Sequence, residues 1–300
     1  MALHPEIAKI VANLPHPEGP LDPVAMRAGD EAHVAPLAER LPLYSVEDTT
    51  IAGVPVRVYA ASAQTEGTLV YFHGGAFFLG SLETHDHVAR SLAAATGRRV
   101  VSVGYRLAPE HAFPAGLTDC FDVTAALLAE GPVAIAGDSS GGTFVAAVAG
   151  MVKDAGLEGL THQVLYYPSL DLDFDETRYP SMVENAVGYG LETAGLKPFN
   201  AFYLDSGADP ADPRVSPIKR ADLTGLAAAL ILTGEHDPMR DEAELYGRHL
   251  AEAGVPTTVT RYAGAGHGFV QHFGWIPEYG RAFAETAAFL RGEQIEDGDA

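Results

Sequence analysis

Residues 133–152 read VAIAGDSSGGTFVAAVAGMV, and the order of textures in that stretch decides the fold. The apolar residues Val133 to Ala136 have the length and continuity of a strand buried on both faces. From Thr143 to Val152 an Ala-rich run has helical spacing. Between them, Gly137-Asp138-Ser139-Ser140-Gly141-Gly142 has room only for a tight strand-to-helix turn. A chain that reverses so sharply needs minimal side chains two residues before and two after its apex, and Gly137 and Gly141 meet that need around Ser139. Ser139, rather than Ser140, is therefore the hydroxyl such a turn would present as a nucleophile. A phosphate loop is the other use of a Gly-rich helix start, but the Lys of GxxxxGK[ST] is missing.

Outward from this turn, strand and helix signals alternate. Upstream, Val54 to Ala60 alternates like a half-buried strand, and Leu69 to Phe72 and Val100 to Val103 are short continuous apolar runs. His87 to Thr96, Phe121 to Ala129 and the quoted Thr143 to Val152 have helical spacing and are closed by Gly97, Gly131 and Gly156. Downstream come strand-like Gln163 to Tyr167 and Leu230 to Thr233, a helix from Asp241 to Ala253 closed by Gly254, a strand Thr257 to Tyr262 and a last helix near Tyr279 to Leu290. The alternation predicts an α/β fold with a mostly parallel central sheet and helices on both faces. Two regions interrupt it. Residues 1–42 carry Pro5, Pro15, Pro17, Pro20, Pro23, Pro36 and Pro42 and suit one or two small helices. Residues 171–217 are far longer than an ordinary α/β connection and hold Phe199, Phe202, Tyr203 and Leu204 at the spacing of one helix face. That face reads either as ordinary core or as a lid over a cleft at the sheet's edge. The acidic run 293–300 reads as a frayed tail.

A serine hydroxyl needs a base to take its proton and an acid to orient that base. After Leu230 to Thr233 comes Gly234-Glu235-His236-Asp237, and after Thr257 to Tyr262 comes Gly264-Ala265-Gly266-His267-Gly268. Both segments lie just past a strand's C-terminal end, where sites assemble in open α/β sheets. Asp237 is the expected acid and His267 the expected base; Asp241, His249 and His236 read as capping or solvated residues. An oxyanion requires fixed N–H donors, and His73-Gly74-Gly75-Ala76-Phe77, directly after Leu69 to Phe72, offers the Gly74 and Gly75 amides, with Ser140 supplying a third.

Together, HGGAF at 73–77, YRLAPEH at 105–111, GDSSGG at 137–142, DPMRD at 237–241 and HGF at 267–269 resemble the hormone-sensitive-lipase-like branch of α/β-hydrolase esterases, also called bacterial family IV. The resemblance spans about residues 65–290 in family order and maps the nucleophile, acid, base and oxyanion amides onto the residues already named. It further implies an eight-stranded sheet and a helical cap, giving residues 1–42 as the first part of the cap, 43–170 as the first part of the catalytic domain, 171–217 as the cap insertion and 218–292 as the rest of the catalytic domain. Tyr189, Phe199, Phe202 and Tyr203 are the cap residues expected to bind substrate. The implied activity is hydrolysis of short acyl esters without metal or organic cofactor, and many members pair as homodimers. The chain departs from the pattern at Ser140, where Ala is common, so an extra hydroxyl lies next to the hole.

Composition limits the alternatives. Asp and Glu number 40 against 19 Lys and Arg, and the net charge of −21 repels nucleic acid and anionic membranes alike. The single Cys120 excludes an internal disulfide, and the opening MALHPEIAKI lacks an export signal, so a cytoplasmic setting is expected. A chymotrypsin-like protease is excluded by order, since its His and Asp precede the serine. His85 and His87, two residues apart at a helix start, diverge around the axis and are not read as a metal site. A non-catalytic small-molecule receptor, or a lactonase or amidase, stays open as the alternative to an esterase.

Overall fold

The computed structural model describes residues 2–14 and 20–293, so Pro15, Pro17 and nearly all of the acidic tail lie outside the described residues. In chain order the elements are α1 (Pro5–Val11), α2 (Pro23–Glu31), β1 (Ser45–Ile51), β2 (Val54–Ala60), β3 (Thr68–Phe72), α3 (Asp86–Thr96), β4 (Arg99–Val103), α4 (Ala115–Leu128), β5 (Val133–Asp138), α5 (Ser140–Asp154), β6 (Leu160–Tyr166), α6 (Pro180–Glu184), α7 (Thr193–Leu204), β7 (Ala228–His236), α8 (Arg240–Glu252), β8 (Thr257–Gly266), α9 (Phe269–Phe273) and α10 (Pro277–Leu290). They build one eight-stranded sheet in the order β1-β2-β4-β3-β5-β6-β7-β8. From β4 to β8 the pairs are parallel, while β1 pairs with β2 and β2 with β4 antiparallel. No helix among the described residues is long and apolar enough to cross a membrane.

Alternate residues of the central strands feed two cores. Val70, Phe72, Ile135, Leu165 and Ile231 face one side with α4, α5 and α8; Leu69, Tyr71, Ala134, Ala136, Val164, Leu230 and Leu232 face the other with α3, α9 and α10. Burial on both faces is why these strands read as unbroken apolar runs. The edge strand β1 (SVEDTTI) went unread because most of it is exposed and polar. It joins β2 through Ala52 and Gly53, both at positive φ, the backbone of a two-residue hairpin turn. Strands β7 and β8 run past their apolar runs through Gly234 and Gly264, so that Asp237 and His267 each follow the final strand residue directly. Residues 171–217 contain α6 and α7, and Met182, Leu196 and Tyr203 from these helices join the α4–α5 core.

Candidate active site

The turn after β5 has the sharpness its sequence calls for. Ser139 sits at φ 51°, ψ −119°, a strained backbone for a residue with a side chain, costing roughly 1–3 kcal/mol and typical of functional turns. A Cβ on Gly137 would strike the Gly141 carbonyl, and one on Gly141 would strike the Phe72 carbonyl, so neither position admits a side chain. At Gly142 the obstacle is Pro168, whose Cβ would lie 2.7 Å away.

Three strand ends meet above this turn. His267 Nε2 lies 3.0 Å from Ser139 Oγ, and His267 Nδ1 lies 2.8 Å from Asp237 Oδ2. With the buried Asp237 accepting from Nδ1–H, the lone pair on Nε2 faces the serine hydroxyl. Asp237 is itself held: its Oδ1 accepts from the Met239 N–H at 2.9 Å, and its backbone carbonyl accepts from Asn185 Nδ2 at 3.1 Å. The Tyr167 ring abuts His267 edge to face at 4.9 Å. The rival residues lie elsewhere: Asp241 accepts from the Ser181 N–H and from Arg240, and His236 stacks flat on Tyr189. His85 Nδ1 meets Thr84 Oγ1 and His87 Nε2 meets the Gln271 carbonyl.

The loop after β3 corrects one expectation. The Gly74 N–H donates to Asp138 Oδ1 at 2.9 Å and is not available to an oxyanion. Gly75 and Ala76 line the cavity in front of Ser139, whereas Gly74 does not, and among the described residues neither of their N–H groups has a partner. Gly75, Ala76 and Phe77 all have positive φ, which turns these amides outward, and a Cβ on Gly75 would strike the Leu79 carbonyl. Ser140, the first residue of α5, also lines the cavity and has an N–H with no partner inside its helix. Its unusual hydroxyl accepts from the Phe77 N–H at 3.3 Å, bracing the loop.

Asp138, in the sequence simply one residue of the Gly137–Gly142 turn, has a task of its own. Fully buried, it accepts from Tyr71 Oη at 2.5 Å as well as from Gly74, so one carboxylate ties the serine turn to the loop after β3. Burial alone would raise its pKa, but the His85 ring 3.7 Å away and the Tyr71 hydroxyl bring it below the ordinary value. His73 stacks on Tyr105 at 4.2 Å, and the Tyr105 hydroxyl donates to the His73 carbonyl at 2.7 Å, which joins the 73–77 and 105–111 motifs. Burial, helped by the neighbouring His85, pushes the His73 imidazole down to about 3.

The cavity above Ser139 has a volume of about 170 Å³. Its apolar wall is Met26, Phe78, Leu79, Leu191, Leu196 and Phe199. Of the cap residues expected to bind substrate, Phe199 lines this wall and the other three do not. Phe202 leans on Phe78 at 4.8 Å, Tyr203 is buried and stacked on Phe77 at 3.9 Å, and Tyr189 stacks on His236 at 4.6 Å. Leu196, Phe199 and Asn200 of α7 share the cavity-facing side; Phe202 is turned away from that side, whereas Tyr203 shares it but lies one turn beyond the cavity, against Phe77.

A family model described as the α/β-hydrolase fold matches residues 69–271, more than half of the chain. The chain belongs to the α/β-hydrolase family. Its motifs put it in the hormone-sensitive-lipase-like branch, among carboxylic ester hydrolases. It is 36% identical over 296 residues to the carboxylesterase NlhH of Mycobacterium tuberculosis, covering 90% of this chain and 92% of that one. An arylesterase of Saccharolobus solfataricus is 36% identical over 231 residues, 72% of this chain and 73% of its own. Among solved structures, a hyperthermophilic esterase from the archaeon Pyrobaculum calidifontis superposes with a TM-score of 0.84 at 36% identity, covering 97% of this chain and 99% of that one.

Proposed function

We propose that this carboxylesterase hydrolyses short-chain acyl esters through an acyl-enzyme on Ser139, with His267 as base and Asp237 as the acid that orients it. The observation that carries the reading is the unbroken line Ser139 Oγ, His267 Nε2, His267 Nδ1, Asp237 Oδ2, with contacts of 3.0 and 2.8 Å. Ser139 attacks the ester carbonyl as His267 removes its proton; the imidazolium then gives that proton to the departing alcohol, and Asp237 stabilises it meanwhile. Water activated by the same imidazole releases the acid. The oxyanion is received by the amides of Gly75, Ala76 and Ser140, each such donor contributing about 3 kcal/mol to the transition state. The volume of about 170 Å³ favours short acyl groups. In this proposal residues 1–42 and 171–217 form the cap, and residues 43–170 and 218–292 the catalytic domain, with 293–300 as a tail. Residence in the cytoplasm and pairing as a homodimer belong to it too, the former supported by the unpaired, buried Cys120 and the latter by the resemblance.

Hydrolysis of p-nitrophenyl acetate by the protein and by Ser139→Ala and Ser140→Ala tests the assignment. Ser139→Ala lowers kcat by about 10⁴-fold or more with an unchanged circular dichroism spectrum. Ser140→Ala keeps most of the rate because its backbone donor remains. A comparable collapse in Ser140→Ala, or substantial turnover by Ser139→Ala, would overturn it.

A further inference from the structure

The first turn of α8 holds a buried carboxyl group to which the triad chemistry gives no role. Glu242 follows Asp237 closely in the chain and is 0% exposed. Its Oε1 accepts from the Leu170 N–H at 2.6 Å, reaching from α8 to the loop that leaves β6. Its Oε2 is also buried and, among the described residues, has no hydrogen-bond partner.

The loop that Glu242 grips touches the catalytic residues at several points. The Tyr167 ring abuts His267, and its hydroxyl accepts from the Gln271 N–H at 3.1 Å. The Ser169 N–H donates to the Ser139 carbonyl at 3.3 Å, and the Ser169 carbonyl accepts from the Thr143 hydroxyl. Leu170 comes next, so the bond from Glu242 fixes the loop immediately beyond its contact with the serine turn. At the other end, α8 begins where the Met239 N–H donates to Asp237 Oδ1. One side chain therefore joins the segment that carries the acid to the segment that supports the nucleophile and the base.

The charge on that side chain matters as much as its reach. The titratable groups around Glu242 are Asp171, Asp237 and Tyr179. The nearby cations are engaged elsewhere: Arg178 and Lys219 both pair with Asp171, which also accepts from Tyr179 Oη at 2.7 Å, and among the described residues Glu242 has no ion-pair partner. A dry oxygen with no donor is far more costly as part of an anion than as part of a neutral acid. The Leu170 N–H and the start of α8 favour the ionised form, but they do not offset complete burial beside two other carboxyl groups. Burial, with Asp171 and Asp237 adding to it, accordingly raises the Glu242 carboxyl well above the ordinary range. We infer that Glu242 is a positioning residue for the reaction: as an uncharged acid it ties the Asp237 segment to the loop 167–171, keeping Asp237, His267 and Ser139 in line without setting a second negative charge beside Asp237.

The inference rests on the esterase reading, and the test separates the two. Hydrolysis of p-nitrophenyl acetate is followed between about pH 5 and pH 9 for the full-length protein, Glu242→Ala and Glu242→Gln, with a circular dichroism spectrum of each. Glu242→Ala lowers kcat by about tenfold to a hundredfold with little change in KM, the scale of a small misplacement of reacting groups. Glu242→Gln, whose amide oxygen still accepts from Leu170 and whose charge matches a neutral acid, brings kcat back to within about threefold. It also leaves the acid limb of kcat/KM where it was. Were Glu242 ionised, its replacement by Gln would lower the midpoint of that limb, because a neighbouring negative charge favours the imidazolium. Infrared difference spectra of the unaltered protein against Glu242→Gln at neutral pH read the proton itself, whether or not Glu242→Ala folds: a protonated-carboxyl C=O band is present in the former and lost in the latter. With the unaltered protein active, full kcat in a folded Glu242→Ala, a Glu242→Gln slowed a hundredfold, a lowered acid-limb midpoint or the absence of that band overturns this inference alone. If the unaltered protein leaves the ester intact, the esterase reading falls and takes this inference with it.

Discussion

A histidine can be diagnostic by staying neutral. His73 opens the loop after β3, is 1% exposed and stacks on Tyr105, and its Nδ1 lies 2.8 Å from the Gly74 carbonyl and 3.1 Å from the Tyr105 hydroxyl. Burial pushes it down to about 3, against an ordinary value of 6.5. The unfolded chain therefore binds this proton as pH falls below about 6.5 while the folded chain refuses it, so the stability His73 contributes is complete above that pH and declines towards pH 3, by up to about 1.4 kcal/mol per pH unit. Nuclear magnetic resonance should show the His73 ring untitrated at pH 5. A midpoint near 6.5 would mean that the loop is open to solvent and that the Gly75 and Ala76 amides are not held in place. At this scale the sequence was legible wherever steric need dictates residue type: Ser139, flanked by Gly137 and Gly141, could be placed without coordinates. Which of the adjacent amides at positions 74, 75 and 76 faces the cavity was not legible, because it depends on the buried Asp138 capturing Gly74 from another strand.

Elements were legible in proportion to how dry they are. The doubly buried β3, β5, β6 and β7 announced themselves as apolar runs, whereas edge strand β1 and the five-residue helices α6 and α9 did not, since short or exposed segments carry little hydrophobic period. In α7 the apolar face was visible but its phase against the cavity was not. That phase makes a contrast. Phe199→Ala deepens the apolar wall and should raise kcat/KM for hexanoyl relative to acetyl esters by roughly tenfold, the scale of added methylene contacts. Phe202→Ala, which removes packing on Phe78 outside the cavity, should leave the chain-length preference as it is and lower Tm. An assay series of p-nitrophenyl esters checks both, and a shifted preference in Phe202→Ala with none in Phe199→Ala would reverse the assignment of the wall.

For the molecule as a whole, a net charge of −21 repels itself in the folded state. Salt shortens the reach of that repulsion, from about 30 Å at 0.01 M to about 3 Å at 1 M, while the close and partly buried ion pairs around Asp86 are screened far less. Scanning calorimetry should therefore show Tm rising as NaCl is added over that range, and a falling Tm would mean that exposed ion pairs outweigh the repulsion. The same global architecture brings Ser139, Asp237 and His267, remote in sequence, to the ends of β5, β7 and β8, and the whole account depends on that convergence. Acid quenching during steady-state turnover of p-nitrophenyl butyrate, followed by peptide mass spectrometry, reads it out directly. A butyryl adduct forms on Ser139, is absent from Ser139→Ala and accumulates poorly in His267→Ala; an adduct on Ser140, or equal acylation of Ser139 without His267, would contradict the convergence of these three residues.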